Sequence, residues 1–338
     1  MDKLLSIIIP VYKVEKYINK CLDSVIISDD NMKLIEVVVV NDGTPDNSAL
    51  MAKEYEKRYP NTIKVYDKEN GGHGSAWNKG VELATGKYIR FLDSDDWLTN
   101  LEEFVNSLKT CDADMVFTNL NIYYQDIDQQ KIYIFKNVDP GIEYNVSDFD
   151  WKKTKYIFRG YNITNFHMCT YKSSLLKKYH PLFIEKIFYD DEILFVMPLC
   201  VSNTFVFYDL ILYNYLLGRP GQTLDPKVLK RNIDFKMNVR EAQIDFYANN
   251  KPKSIIVCEE IERIIKSRVN DTFYLLSQLP YKDSKKKVTN WDGIVQRSFP
   301  EYKKTKLYRI YKKSFLLYWL YYGHYTPFKI KVNKYLYR

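Results

Sequence analysis

Phe91-Leu92-Asp93-Ser94-Asp95-Asp96-Trp97 sets three carboxylates directly after an apolar run. Tyr88-Ile89-Arg90-Phe91-Leu92 reads as a short buried strand, so the acids emerge together at its C-terminal edge. Carboxylates crowded in one place repel one another unless a cation lies between them, and hard oxygen ligands suit Mg²⁺ or Mn²⁺. In an open α/β sheet the same edge is where ligands bind. A solvated acidic turn, with Asp95 or Asp96 capping a following helix, is the competing reading.

Working outward from this cluster, the preceding residues alternate strand and helix patterns. Leu4–Ile9 is an apolar strand closed by Pro10, and Tyr17, Ile18, Cys21, Leu22 and Val25 then recur at helical spacing. Ile35–Val40 is a second strand, almost wholly β-branched, ending at Asn41-Asp42-Gly43. Asp46-Asn47-Ser48 supplies N-cap candidates for a helix to Arg58, and Ile63–Tyr66 is a third strand. Gly71-Gly72-His73-Gly74 is a loop, with Ser75 positioned to cap a helix through Ala84 and Gly86 to end it. Near-continuous apolar strands alternating with helices imply a mostly parallel, Rossmann-like sheet covered on both faces. The turn after the first strand contains no glycine, which disfavours a dinucleotide fold and hydride transfer.

After Trp97 the alternation breaks down. Met115–Phe117, Lys131–Phe135 and Thr204–Tyr208 read as short strands, and from about Asp225 the pattern turns helical, with Ile233–Tyr247 and Ser254–Leu279 as the clearest helices. Across 338 residues, 46% are apolar and 27% charged, the proportions of a soluble globular protein of one large or two ordinary domains. Thirty tyrosines concentrate after the first hundred residues. Five cysteines without regular spacing make neither a disulfide framework nor a zinc site, which suits a cytoplasmic protein with reduced thiols. The N-terminal apolar run stops at Pro10, too soon for a signal-peptide core. Phe315–Tyr322 falls well short of the ~20 residues that cross a bilayer. The formal charge of +8 is compatible with anionic partners.

Four separated segments then fit together: Ser6-Ile7-Ile8-Ile9-Pro10-Val11-Tyr12, Val38-Val39-Val40-Asn41-Asp42-Gly43, Glu69-Asn70-Gly71-Gly72 with Asn78-Lys79-Gly80, and Phe91–Asp96. In this order they resemble the GT-A fold of family 2 glycosyltransferases, the large bacterial group that builds surface glycans. The resemblance is dense over the first hundred residues, thinner to about Thr223, and absent beyond. Three departures stand out. Lys13 replaces a frequent Asn, Asn41-Asp42-Gly43-Thr44 replaces Asp-Asp-Gly-Ser, and His73, Gly74 and Trp77 replace small and basic residues.

The resemblance implies a role for each segment. Pro10, Val11 and Tyr12 line the nucleobase, although Tyr12 reads equally as a core residue. Asp42 accepts the imide N–H of uracil, or serves only as a turn residue before Gly43. Asn70, Gly71 and Gly72 let the backbone approach the donor, since glycine has no Cβ, and Asn78 is grouped with them. Asp95 is the leading metal ligand, for Mn²⁺ or Mg²⁺. Asp93 touches ribose or a metal-bound water, with Ser94 between them. Phe188-Tyr189-Asp190-Asp191-Glu192 resembles the family's Glu-Asp motif, which makes Asp191 the general base that takes a proton from the acceptor hydroxyl. Its alternative is an acidic helix start, and Asp190 and Glu192 are near enough to share the site. Leu212–Thr223 resembles a later family segment in which Arg219 pairs with the diphosphate and Gln222 or Thr223 supports it. A plain surface turn explains that segment too. His167 lies in the region where, by the resemblance, relatives shape the acceptor pocket, but a lone His reads more simply as structural.

The expectation is therefore an α/β protein with a GT-A nucleotide-sugar-binding domain over residues 1–224. A mainly helical, basic and aromatic region over 225–338 would bind acceptor or membrane surface. Its expected reaction is inverting, metal-dependent transfer from a UDP-sugar to a hydroxyl of a lipid-linked, capsular or glycoprotein glycan. The competing readings are a nucleotidyltransferase on the same metal–nucleotide site and a non-catalytic UDP-binding scaffold. The C-terminal mixture of Lys303, Lys304, Lys306, Arg309, Lys312 and Lys313 with aromatic residues suits peripheral contact with the inner membrane face. Packing onto the catalytic domain explains it equally. Lys285-Lys286-Lys287 is too short a run to indicate nucleic acid.

Overall fold

The computed structural model describes residues 2–135, 137–152, 166–219, 226–304 and 306–320. The chain divides into two compact units, Met1–Pro220 and Gly221–Arg338. The Pro220-Gly221-Gln222-Thr223 end of the Leu212–Thr223 segment, and the end of the apolar C-terminal run at Tyr321-Tyr322, lie outside the described residues.

The first unit runs β1 (Leu5–Val11), α1 (Ile18–Asp23), α2 (Asp29–Met32), β2 (Ile35–Asp42), α3 (Ser48–Arg58), β3 (Ile63–Lys68), α4 (His73–Leu83) and β4 (Tyr88–Phe91). It continues through β5 (Trp97–Leu98), α5 (Leu101–Leu108), β6 (Met115–Tyr124), β7 (Gln129–Tyr133), β8 (Glu143–Asn145), β9 (Cys169–Lys172) and α6 (Ser173–Lys178). A 3₁₀ turn (Asp190–Phe195), α7 (Met197–Val201) and β10 (Thr204–Leu217) complete it. One sheet holds all the strands in the order β3-β2-β1-β4-β9-β6-β10-β5, with β7 beside β6 and β8 beside β10. β3, β2, β1 and β4 are mutually parallel, and β9 enters antiparallel between β4 and β6. Every residue of β1 and all but two of β2 are buried, as the continuous apolar runs require of strands covered on both faces.

Two boundaries differ from expectation for identifiable reasons. β1 continues through Pro10 to Val11 because pairing with β4 ends at Ile8. The Ile8 carbonyl accepts from Leu92, so the alternating Pro10 position faces the same side, where β4 has already finished and a missing N–H costs nothing. Ser75 does not cap α4. Gly72 at φ +85° turns the chain first, and the helix starts two residues earlier, at His73.

The second unit is helical: α8 (Pro226–Arg231), α9 (Ile233–Asn249), α10 (Ile255–Ser277), α11 (Tyr281–Ser298), α12 (Lys306–Lys313) and α13 (Phe315–Tyr318). α9, α10 and α11 pack on one another. The buried Arg240 is neutralised by Asp271 at 2.7 Å and donates to Thr272 at 2.8 Å, which meets the requirement that a buried charge be paired. Phe273 and Tyr302 stack at 5.6 Å in this core. Among the described residues no helix is long and apolar enough to cross a membrane.

Candidate functional site

The parallel register brings the C-terminal ends of β1, β2 and β4 to one edge, with the loop before α4 beside them. Pro10 and Val11 are buried in the strand, whereas Tyr12 just beyond is 44% exposed, so it does not pack in the core. The backbone N–H of Lys13 donates to Thr44 Oγ1 at 2.8 Å and ties the two strand ends together.

Asp42 organises the glycine loop. Its Oδ1 accepts from Lys68 Nζ at 2.8 Å and the Gly71 N–H at 2.9 Å, and its Oδ2 accepts from the Gly72 N–H at 2.8 Å. Asn70 donates back to the Asp42 carbonyl at 2.8 Å. The Gly71 carbonyl in turn accepts from the Lys186 N–H at 2.8 Å, which joins the loop to the segment leading to Asp190. Gly72 has to be glycine: a Cβ there would lie 3.1 Å from the Lys186 nitrogen as well as demanding a left-handed side chain. The Asn78 side chain is buried, accepting from the Leu182 and Phe183 N–H groups and donating one N–H to the Phe183 carbonyl at 2.8 Å, so in this structure it braces that segment.

At the end of β4 the three acids have separate environments. Asp93 is half-buried and accepts from His73 Nε2 at 3.2 Å. Burial raises its pKa, but His73, His167 and Arg219 together bring it below the ordinary carboxylate value. Asp95 is ion-paired to Arg219, whose guanidinium also lies 5.4 Å from the Tyr17 ring. Burial pushes Asp95 up to about 6, with Arg219 opposing and Asp93 adding to the rise. Asp96 accepts from the Tyr213 hydroxyl at 2.7 Å and the Leu216 N–H at 2.8 Å. Burial and the charges of Asp95 and Asp93 drive its pKa well up. It therefore caps no helix: β5 follows it, and Asn100 precedes α5.

His73, which in the sequence marks only a departure from the family pattern, and His167 complete the cluster. His73 lies between two acids, with Nδ1 3.1 Å from both carboxylate oxygens of Asp190 and Nε2 facing Asp93. Burial would lower its pKa, yet Asp190 and Asp93 raise it well above the usual imidazole value. Trp77 supports the ring from below at 4.3 Å, stacked in turn on Phe91 at 4.2 Å. His167 is buried, and burial pushes its pKa down to about 3, so the ring is neutral at ordinary pH. One ligand atom each from Asp93, Asp96 and His167 lie within 4.8 Å of one another. Carboxylate oxygens with a neutral imidazole nitrogen fit a divalent ion such as Mn²⁺. Asp95, the expected leading ligand, is not in this set; its carboxylate pairs with Arg219. Arg90 holds the His167 backbone from beneath, donating to its carbonyl and, at 3.3 Å, to Thr170 Oγ1. An arginine inside an apolar strand was the available sequence signal for buried polar partners here.

Asp191 is the second residue of the 3₁₀ turn, after Asp190, which Tyr189 at φ +70° precedes. It is half-buried, and burial, Asp190 and Glu192 push its pKa up to about 7 against the opposing charge of His73. Ser94 is buried in the turn between Asp93 and Asp95. Beside Asp95 a cavity of about 270 Å³ is lined by Lys16, Tyr17, Lys20, Trp97, Tyr123 and neighbours. A half-buried carboxylate with a raised pKa, beside the Asp190 that His73 links to Asp93, can take a proton from a hydroxyl next to a bound anionic leaving group.

Comparison with known proteins bears on the same residues. Residues 6–180 match the family model described as glycosyl transferase family 2. A putative glycosyltransferase, EpsH of Bacillus subtilis, is 37% identical over 169 residues, covering 44% of this chain and 45% of that protein. Glycosyltransferase GlyG of Streptococcus pneumoniae is 29% identical over 230 residues, covering 64% and 71%. The B. subtilis minor teichoic acid biosynthesis protein GgaB is 44% identical over 91 residues, 27% of this chain and 10% of its own length. The chain thus spans less than half the length of GgaB or EpsH. In fold, residues 1–349 of S. aureus TarS, solved with UDP-GlcNAc, align with a TM-score of 0.53 at 19% identity, covering 88% of this chain and 92% of that one.

Proposed function

Because this chain belongs to glycosyl transferase family 2, we propose that its cluster of acids transfers a sugar from a UDP-sugar to a hydroxyl of a bacterial glycan, with inversion at the anomeric carbon. The observation that carries the reading is the place of Asp191: a half-buried carboxylate, pushed up to about 7, next in the chain to the Asp190 that His73 links to Asp93. Asp191 takes the proton of the acceptor hydroxyl, the freed oxygen bonds to the anomeric carbon, and the bond from that carbon to the diphosphate breaks. Attack from the face opposite the leaving UDP inverts the configuration.

The remaining residues bind and orient. Exposed Tyr12 offers its ring to the nucleobase. Asp42 holds Gly71 and Gly72 against the donor and keeps acceptor capacity for the uracil imide. Asp93, Asp96 and His167 would hold a divalent ion, which when bound supplies Lewis-acid stabilisation of the departing diphosphate. Arg219 is the second cation for that diphosphate once it leaves Asp95. The cavity beside Asp95, with lysines and aromatic rings, is suited to the acceptor glycan. UDP-GlcNAc is the first donor to try, since the TarS fragment of similar fold binds it.

The test is a screen of UDP-sugars with Mn²⁺ and Mg²⁺ that reads the nucleotide product. UDP release supports the proposal, and pyrophosphate would identify a nucleotidyltransferase. UDP binding without turnover of any donor would leave the non-catalytic scaffold, and failure to bind UDP with either metal would contradict the proposal. Asp93→Asn and Asp96→Asn are expected to raise the Mn²⁺ requirement by more than tenfold, and Asp95→Asn by less. The reverse order would return the ion to Asp95.

A further inference from the structure

The charge of the chain is divided unevenly. Residues 281–338 hold fifteen Lys and Arg against three Asp and Glu, a formal +12, whereas residues 1–280 hold thirty-five against thirty-nine, a formal −4. Within the described part of this basic region, α13 is fixed from one side. Tyr318 is fully buried and donates to the Phe273 carbonyl, and Trp319 Nε1 donates to the Leu279 carbonyl at 3.0 Å. Helical spacing then turns Leu316, Leu317 and Leu320 outward, where they are 50%, 61% and 44% exposed.

These leucines are not isolated. Tyr281 at the start of α11, itself 38% exposed, meets Phe315 at 5.2 Å and Trp319 at 5.5 Å. Exposed Lys282, Lys285 and Lys286 follow Tyr281 on α11, and exposed Arg309 and Lys313 precede the leucines in the chain. The result is an apolar ridge with an aromatic belt and a cationic rim. Scattered exposed leucines need no explanation, but a cluster rimmed by polar groups marks an interaction face. A polyanionic chain would use the lysines and leave the leucines in water. A bilayer surface uses both, since its headgroups take the lysines and its acyl boundary takes the leucines.

We propose that this face docks the enzyme on an anionic membrane surface, through insertion of Leu316, Leu317 and Leu320 and headgroup contact by the surrounding lysines. Such docking would hold the catalytic unit where lipid-linked acceptors are found. It does not depend on which donor the catalytic unit uses, so it can fail or succeed independently of the transferase reading.

The test is flotation of the full chain with vesicles of phosphatidylcholine alone or mixed with phosphatidylglycerol. The mixed vesicles should carry the protein and the neutral ones should not, with binding that weakens as salt rises. Leu316→Asp with Leu317→Asp should reduce flotation at least tenfold, while leaving circular dichroism and UDP binding unchanged. Lys285→Glu with Lys286→Glu should cost more than tenfold, at roughly fivefold per lost basic contact near an anionic surface. Wild-type flotation by the double leucine variant would overturn the proposal. So would retention on soluble polyphosphate that ignores the leucines, or a dimer in solution that the leucine change dissolves.

Discussion

Asp191 illustrates how surroundings turn an ordinary side chain into a catalyst. An exposed aspartate is fully ionised and weakly basic at neutral pH, and burial next to Asp190 and Glu192 removes that handicap. As the general base it has to be ionised, so kcat/KM should climb about tenfold per pH unit below about 7 and level off above it. A pH profile flat from 5 to 9 would remove Asp191 from that role. The same shift burdens the fold. The unfolded chain releases this proton near the ordinary aspartate value of about 4, and the folded one only near 7. Folding is therefore opposed increasingly as pH rises between those values. Asp191→Asn should raise the melting temperature at pH 8 more than at pH 4, even as it abolishes turnover; equal shifts at both would contradict the assigned pKa.

At the scale of elements, the glycine loop and the 3₁₀ turn form one device. Asp42 clamps Gly71 and Gly72, Gly71 accepts from Lys186, Asn78 grips Leu182 and Phe183, and His73 reaches across to Asp190. Gly72→Ala strains the left-handed turn and crowds the Lys186 backbone, so it should cost about 1–2 kcal/mol of stability. UDP affinity should fall with it, both readable in one thermal-shift titration, and a variant that melts and binds like the parent would refute the clamp. Much of this architecture was legible in advance. β1, β2 and β4 declare themselves by unbroken apolar runs, and the acids follow β4 directly. The bracing by Asn78 was not legible, because a polar residue after a glycine loop looks the same whether it faces ligand or braces backbone. The sequence marks His73 and His167 but not their pairing with acids, because Asp190 and the Asp93–Asp96 pair are remote in the chain. Only the antiparallel insertion of β9 beside β4 carries His167 to the acids, and no local pattern encodes that pairing.

Across the whole molecule, chemistry and charge are distributed to different units. The acids collect at one sheet edge of the first unit, and the lysines and exposed leucines lie in the second. Single positions in the first unit can thus be changed without touching the second, which makes the catalytic claim separable from the membrane one. The most direct test compares wild type and Asp191→Asn for UDP release from UDP-GlcNAc with Mn²⁺ and a glycan acceptor, alongside calorimetric UDP binding. With Asp191 as base, the variant should bind UDP within about twofold of wild type and release it roughly 10²–10⁴ times more slowly. Undiminished UDP release by Asp191→Asn would contradict the account.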